Sequence, residues 1–217
     1  MGTVTVEIPT ERTRLRRKAE RGSHDRAVVD AILDAGLVCH VGFAVDGAPW
    51  VFPTAYARIG DHVYLHGAAG NFALRTLAGG TEACVTVTVV DGLVLARSAF
   101  HHSMNYRSVM VFGRPEKVED PNEKRRAVLA IVEHLVPGRS TDSRPPTPEE
   151  LRATLVVRLR VDESSAKVRT GGPVDDEEDM ALPHWAGVLP LSLAPGAPVR
   201  DGPGSEAPGY VVSWPDR

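Results

Sequence analysis

Residues 37–67, LVCHVGFAVDGAPWVFPTAYARIGDHVYLHG, decide the architecture. The run LVCHVGFAV leads into Asp46-Gly47, a dipeptide suited to the positive-φ positions of a tight hairpin turn. PWVFPTAYARI then leads into Gly60-Asp61, and HVYLHG follows, so successive antiparallel strands are expected. Pro49 and Pro53 fall in one of them. A proline has no N–H for a ladder, so that strand is an edge, carries a bulge, or opens onto a site.

Further along, ACVTVTVV alternates Val85, Val87 and Val89 with Thr86, Thr88 and Val90, which suits one face to a core. Asp91-Gly92 is expected to close that strand, after which LVLARSAF and NYRSVMVFGRPEKVE continue the series. Strands at hairpin spacing point to an antiparallel barrel with flanking helices, not to a βαβ sheet. One helix is expected after an N-cap at Ser23, with Val28, Val29, Ile32 and Leu33 on its apolar face and Gly36 ending it. Short helical turns fit AAGNFALRTLAGG, with Leu74 and Leu77 packed down, and a clear helix fits Pro121 to Val136. Thr147-Pro148-Glu149-Glu150 reads as a capping box with proline at the first helical position. Leu155, Val157, Leu159 and Val161 then alternate as a strand, and Asp175–Asp179 reads as a solvated loop or helix start. The Pro- and Gly-rich tail is expected to be extended or disordered, with Tyr210, Val211, Val212 and Trp214 as residues able to dock. The chain thus divides into a basic arm over 1–22, a barrel domain over 23–194 and a tail over 195–217.

Composition narrows the function. The 217 residues carry 25 Lys and Arg against 28 Asp and Glu, a formal charge of −3. That balance argues against a protein held to nucleic acid by phosphate contacts, although Arg12, Arg14, Arg16, Arg17, Lys18 and Arg21 cluster; they read as a solvated arm. No apolar run approaches the ~20 residues of a membrane span, and the first residues lack the apolar stretch of a secretory signal. A cytoplasmic protein with no membrane partner is expected. Cys39 and Cys84 form no CxxC pair, and the eight histidines form no HxxxH or HExxH pair. His62 and His66 share a strand face but lie ~13 Å apart, too far to share an ion. No metal site is expected. GxSxG, P-loop and GxGxxG motifs are absent, which leaves His66-Gly67-Ala68-Ala69-Gly70-Asn71 after a strand. There, glycines admit a ligand close to the backbone and a helix start favours an anion.

The series PTAY, YLHGAAG, LVLARSAFHHSMNYRSVMVFG, EDPNEK, AKVRTGGPVDD and PHWAGVLPL runs in order through the stretch from about Arg12 to Leu191. It resembles the pyridoxamine 5′-phosphate oxidase-related family of flavin-nucleotide-binding split barrels, in the branch that includes nitroimidazole-resistance proteins. The resemblance implies a six-stranded antiparallel split β-barrel, a homodimer with FMN at the subunit interface, and an oxidoreductase acting on a small organic molecule. It implies that Val51, Phe52, Pro53, Thr54 and Ala55 lie along the flavin ring, with His66 and Gly67 beside the ribityl chain or ring. His66 is the candidate for substrate contact or proton delivery. Asn71 and Arg75 are implied at the phosphate, Arg107 and Ser108 as partners from the barrel's other side, and Trp185 as a residue closing over the site. Phe72 and Ala73 depart from the oxidase pattern, which has basic residues at those positions. The same barrel carrying haem or a deazaflavin, or serving as a non-catalytic flavin-binding module, is the alternative; His66 or His101 is then the nearest axial ligand.

Overall fold

The computed structural model describes residues 9–204 and 206–215; the first eight residues of the basic arm and the extreme end of the tail lie outside them. In chain order the elements are β1 Gly22–Ser23, α1 Arg26–Ala35, β2 Val38–Val45, β3 Ala48–Ile59, β4 His62–Ala68 and α2 Phe72–Ala78. They continue with β5 Ala83–Leu95, β6 Ser103–Gly113, β7 Glu116–Lys117, α3 Pro121–Leu135 and α4 Pro148–Ala153. β8 Thr154–Arg160, β9 Glu163–Arg169, β10 Gly187–Pro190 and α5 Gly209–Val212 complete the series.

The strands form one antiparallel sheet of ten, ordered β1-β9-β6-β5-β2-β3-β4-β8-β7, with β10 pairing β5. This differs from the expected six-stranded split barrel in having ten strands, and the path has two ends, β8 and β9 following each other in sequence without pairing. The sheet nevertheless curls on itself. Val63, Leu65, Val157 and Leu159 from one end share a buried cluster with Val109, Val111 and Ala166 from the other. Burial of apolar area from both ends, worth about 25 cal/mol per Å2, holds that curl without a closing ladder. α1 plugs the interior with Val29, Ile32 and Leu33, and Tyr56 is fully buried with its hydroxyl donating to Leu33 O at 2.6 Å. On the outer face Tyr64 and Val156 pack with Ala127 of α3. Alternation along β4 and β8 therefore serves two cores.

Several local expectations change. Ser23 lies in β1, and the side chain capping α1 is Asp25, which accepts from Ala27 N at 2.9 Å. Asp91-Gly92 is no turn. β5 continues through it as a bulge, Val90 opposing Tyr106 and Gly92 opposing Asn105, so Asp91 is the extra residue. One inserted residue inverts the faces of a strand, and buried positions shift from Val85 and Val87 to Val94 and Ala96. The arm is not simply solvated: Arg12 pairs with Glu82 and Glu163 and lies over the Phe112 ring. The tail docks through α5, where Tyr210 donates to Asp142 and Trp214 Nε1 donates to Leu135 O at 2.8 Å.

Candidate functional site

The feature that can accept a ligand is a fork between β3 and β4. β3 pairs with β2 over Ala48–Ala55, but with β4 only over Tyr56–Ile59 against Leu65–His62. β4 pairs with β8 from His62 to Ala68. Beyond Leu65 the two strands therefore part, leaving Ala48–Ala55 with a free edge on one prong and His66-Gly67 on the other.

Parity decides what that edge offers. The Thr54 carbonyl lies toward β2, where it is 3.5 Å from Cys39 Sγ. Pro49 and Pro53 have no N–H to give to β2, so the odd-numbered backbone groups belong to the open edge. The Val51 N–H is thereby available to a ligand. The Thr54 hydroxyl is committed to Ala55 O at 3.2 Å. Side chains alternate likewise: Val51 is 68% exposed, whereas Phe52 meets Phe43 edge-on at 6.2 Å between ring centres. Trp50 reaches across the fork to Phe72 at 5.3 Å, and both rings remain exposed.

On the other prong, His66 Nδ1 is buried and has no hydrogen-bond partner among the described residues. Burial holds the imidazole below its ordinary pKa, favouring the neutral ring. A β-carbon at Gly67 would lie 2.7 Å from Leu74 Cδ1, so the Leu74 side chain would have to shift. α2 therefore presses directly on the strand and brings its cap, Asn71, to the fork. Asn71 Oδ1 accepts from Leu74 N at 3.0 Å. Its amide nitrogen faces back toward Gly67, 4.0 Å from that same β-carbon position. Arg75, one turn further, lines a separate cavity against Lys117 and Lys124.

The fork thus carries Val51, Phe52, Pro53, Thr54 and Ala55 on one prong and His66 and Gly67 on the other, with Asn71 following as the cap of α2. It does not gather Arg107, Ser108 or Trp185. β2 and β5 lie between β3 and the strand that carries Arg107 and Ser108. Arg107 clasps the bulged Asp91, with Nη2 2.8 Å from Oδ1 and Nε 3.0 Å from Oδ2. Ser108 Oγ lies 3.4 Å from Lys167 O. Trp185 is exposed and packs beside Gly187 at the start of β10.

Two further groupings stand out. His40 lines a cavity of about 400 Å3 with Leu37, Val38, Val89, Val90 and Leu193. Its outward aspect was readable from alternation with the buried Cys39 and Val41. His101, Asp176 and Asp179 bring one ligand atom each to within 4.8 Å of one another, a meeting that no sequence spacing signals. Neither cysteine is a reactive thiol: burial pushes Cys39 up to about 12 and raises Cys84 as well.

Comparison with known proteins identifies the family. The family model described as pyridoxamine 5′-phosphate oxidase matches residues 25–168. The flavocytochrome Anf3 from Azotobacter vinelandii is 41% identical, with a TM-score of 0.84 over 95% of this chain and 97% of that one. A FAD and haem binding protein from Mycobacterium smegmatis is 38% identical, with a TM-score of 0.83 over 88% of this chain and 96% of that one. A candidate 5-nitroimidazole antibiotic resistance protein from Bacteroides thetaiotaomicron is 27% identical, with a TM-score of 0.56 over 66% and 84%. No curated protein matches. The extent of the family match, with relatives this similar along nearly the whole chain, establishes that the protein belongs to the pyridoxamine 5′-phosphate oxidase family.

Proposed function

We propose that this protein is an FMN-dependent oxidoreductase for small organic molecules, working as a homodimer, with the flavin ring along the open edge of β3. The observation that carries the reading is the fork, one prong a strand edge unpaired among the described residues, the other carrying His66 with its buried Nδ1 unpartnered among them. A polar ring edge presenting N–H and C=O groups satisfies such a strand as another strand would. The bound flavin supplies hydride and electron exchange at its ring. The chain's own part is to hold and shield it. The Val51 backbone pairs with the ring edge, Trp50 and Phe72 wall off water, and neutral His66 is placed to take or give a proton at Nδ1. The Asn71 amide donates toward the phosphate. A flavocytochrome and a FAD and haem binder among the similar structures support a flavin here.

Val51, Phe72, Met104 and Met110 are exposed apolar residues that a second copy would cover, carrying its own Arg107, Ser108 and Trp185 toward the fork. The test is Asn71→Asp. Aspartate keeps the capping acceptor but removes the amide donor and adds negative charge. FMN affinity is expected to fall tenfold or more, about 1.4 kcal/mol per decade, with the urea midpoint unchanged. An FMN titration identical to the wild type removes Asn71 from the phosphate end.

A second reading adds haem, favoured by His40, an imidazole on a cavity walled by Val38, Val89, Val90 and Leu193. Apolar walls with one nitrogen ligand fit a haem face. His101, by contrast, is 3.1 Å from Asp176. In protein reconstituted with both groups, His40→Ala is expected to lose the Soret band and keep flavin absorbance; a retained Soret band places the ligand elsewhere.

A further inference from the structure

Away from the fork, four cations from four separate elements line one cavity of about 480 Å3: Arg75 of α2, Lys117 of β7, Lys124 of α3 and Arg152 of α4. Glu119 is the one carboxylate in its wall, and it is 2.7 Å from Lys117 Nζ. Arg152 is held by Glu149, which is not part of the lining. The side chains of Arg75 and Lys124 make no ion pair or hydrogen bond among the described residues. Other arginines of the chain are compensated by paired carboxylates. Arg58 meets Asp30 and Asp34, and Arg158 meets Glu116 and Glu123. Drawing like charges around a common space is unfavourable unless an anion enters it. Lys124 registers that crowding: burial and the charge of Lys117 both lower its pKa.

The cavity does not end at its charges. Glu119, Lys124 and Arg152 also wall an adjoining cleft of about 440 Å3, whose other side includes Pro121, Pro148 and Leu151. A cationic chamber opening onto a cleft faced by prolines and a leucine matches a ligand with a multiply charged phosphate end and a flat, less polar end. Both volumes lie in the range of small-molecule sites, ~300–1,000 Å3.

We propose that this cavity is a second ligand site, distinct from the fork, for an organic phosphate of the nucleotide class. The site does not rest on the flavin reading. Phosphate oxygens accept from Arg75, Lys124 and Arg152, charge-assisted bonds that favour a polyanion over a neutral nucleoside. The planar end lies over Pro148 and Leu151. The experiment is calorimetric titration of the full chain, in excess FMN and at low ionic strength, with ADP, pyrophosphate and adenosine. ADP is expected to bind saturably, pyrophosphate more weakly, and adenosine not at all, with ADP affinity falling as salt is added. Lys124→Glu, and separately Arg152→Glu, are expected to weaken ADP at least tenfold while FMN affinity, read from flavin absorbance, stays unchanged. The proposal is overturned if ADP fails to saturate at millimolar concentration, or if both variants bind ADP as the wild type does. It is equally overturned if the variants lose FMN affinity in parallel, which would make the cavity an extension of the fork. Pyrophosphate binding as tightly as ADP would overturn the nucleotide class.

Discussion

Gly36 marks how little space the interior leaves where α1 passes into β2. Its φ of −77° is ordinary, so the constraint is room. A β-carbon there would collide with Val87 Cγ1 and come within 3.0 Å of the Tyr56 hydroxyl. Gly36→Ala is therefore expected to destabilise by about 1–3 kcal/mol, as overpacked cores do. The readout is a lower urea midpoint at unchanged slope; an unmoved midpoint would mean that Val87 yields freely. His66 gives the other test at this scale. Burial keeps its pKa below the ordinary ~6.5. Above that pH the ring is neutral in both folded and unfolded chains and contributes nothing. As pH falls below it, the unfolded chain takes up a proton that the folded chain refuses, so stability declines until the folded pKa is reached. His66→Gln is expected to flatten that decline between pH 6.5 and the acid limb. A variant retaining the full slope would assign it to another group.

Helix α4 is short, and its ends govern it. Thr147 Oγ1 accepts from Glu150 N at 3.2 Å, while the Glu150 carboxylate accepts from Thr147 N at 2.7 Å. Arg144, and then that backbone N–H, hold Glu150 down at about 2. Thr147→Ala should lower stability by about 0.5–2 kcal/mol, seen as a lower Tm; an unaltered Tm would show that α4 is held by Leu151 and Arg152 instead. The bulge in β5 has wider reach than its single residue. By inserting Asp91 it both turns Val94 and Ala96 inward and supplies the carboxylate that engages Arg107. In the chain as folded, that guanidinium is already compensated. Any flavin contact it makes across an interface has to share it with Asp91.

For the molecule as a whole, the decisive quantity is association. The chain mass is 23.4 kDa, and equilibrium sedimentation is expected to return twice that value at micromolar concentration. Met110, exposed on β6, lies within the apolar surface assigned to the second copy. Met110→Glu would place a charge in that interface and is expected to shift the mass toward the monomer. A wild-type protein sedimenting as a monomer would remove the dimer and the interfacial flavin together.

Much of this fold is written within a few residues of each element. Asp46 and Gly47 take φ values of 50° and 80°, as a hairpin turn between β2 and β3 demands, and Gly60 takes 58°. Asp120 caps α3 ahead of Pro121, and the Thr147 box forms as its spacing suggested. Such features depend on backbone torsions and on contacts three or four positions apart, so neighbouring residue types suffice to specify them. β9 has no apolar alternation to mark it in the sequence, because Ser164 and Ser165 occupy buried positions. The fork was legible only as the two prolines of β3. Which residues face it follows from where β4 leaves for β8, a choice made by pairing across the chain. The same holds for Arg75, Lys117, Lys124 and Arg152, which no window of sequence contains together. Register and burial across distant segments bring them to one place, and those are properties of the folded chain rather than of any local run of residues.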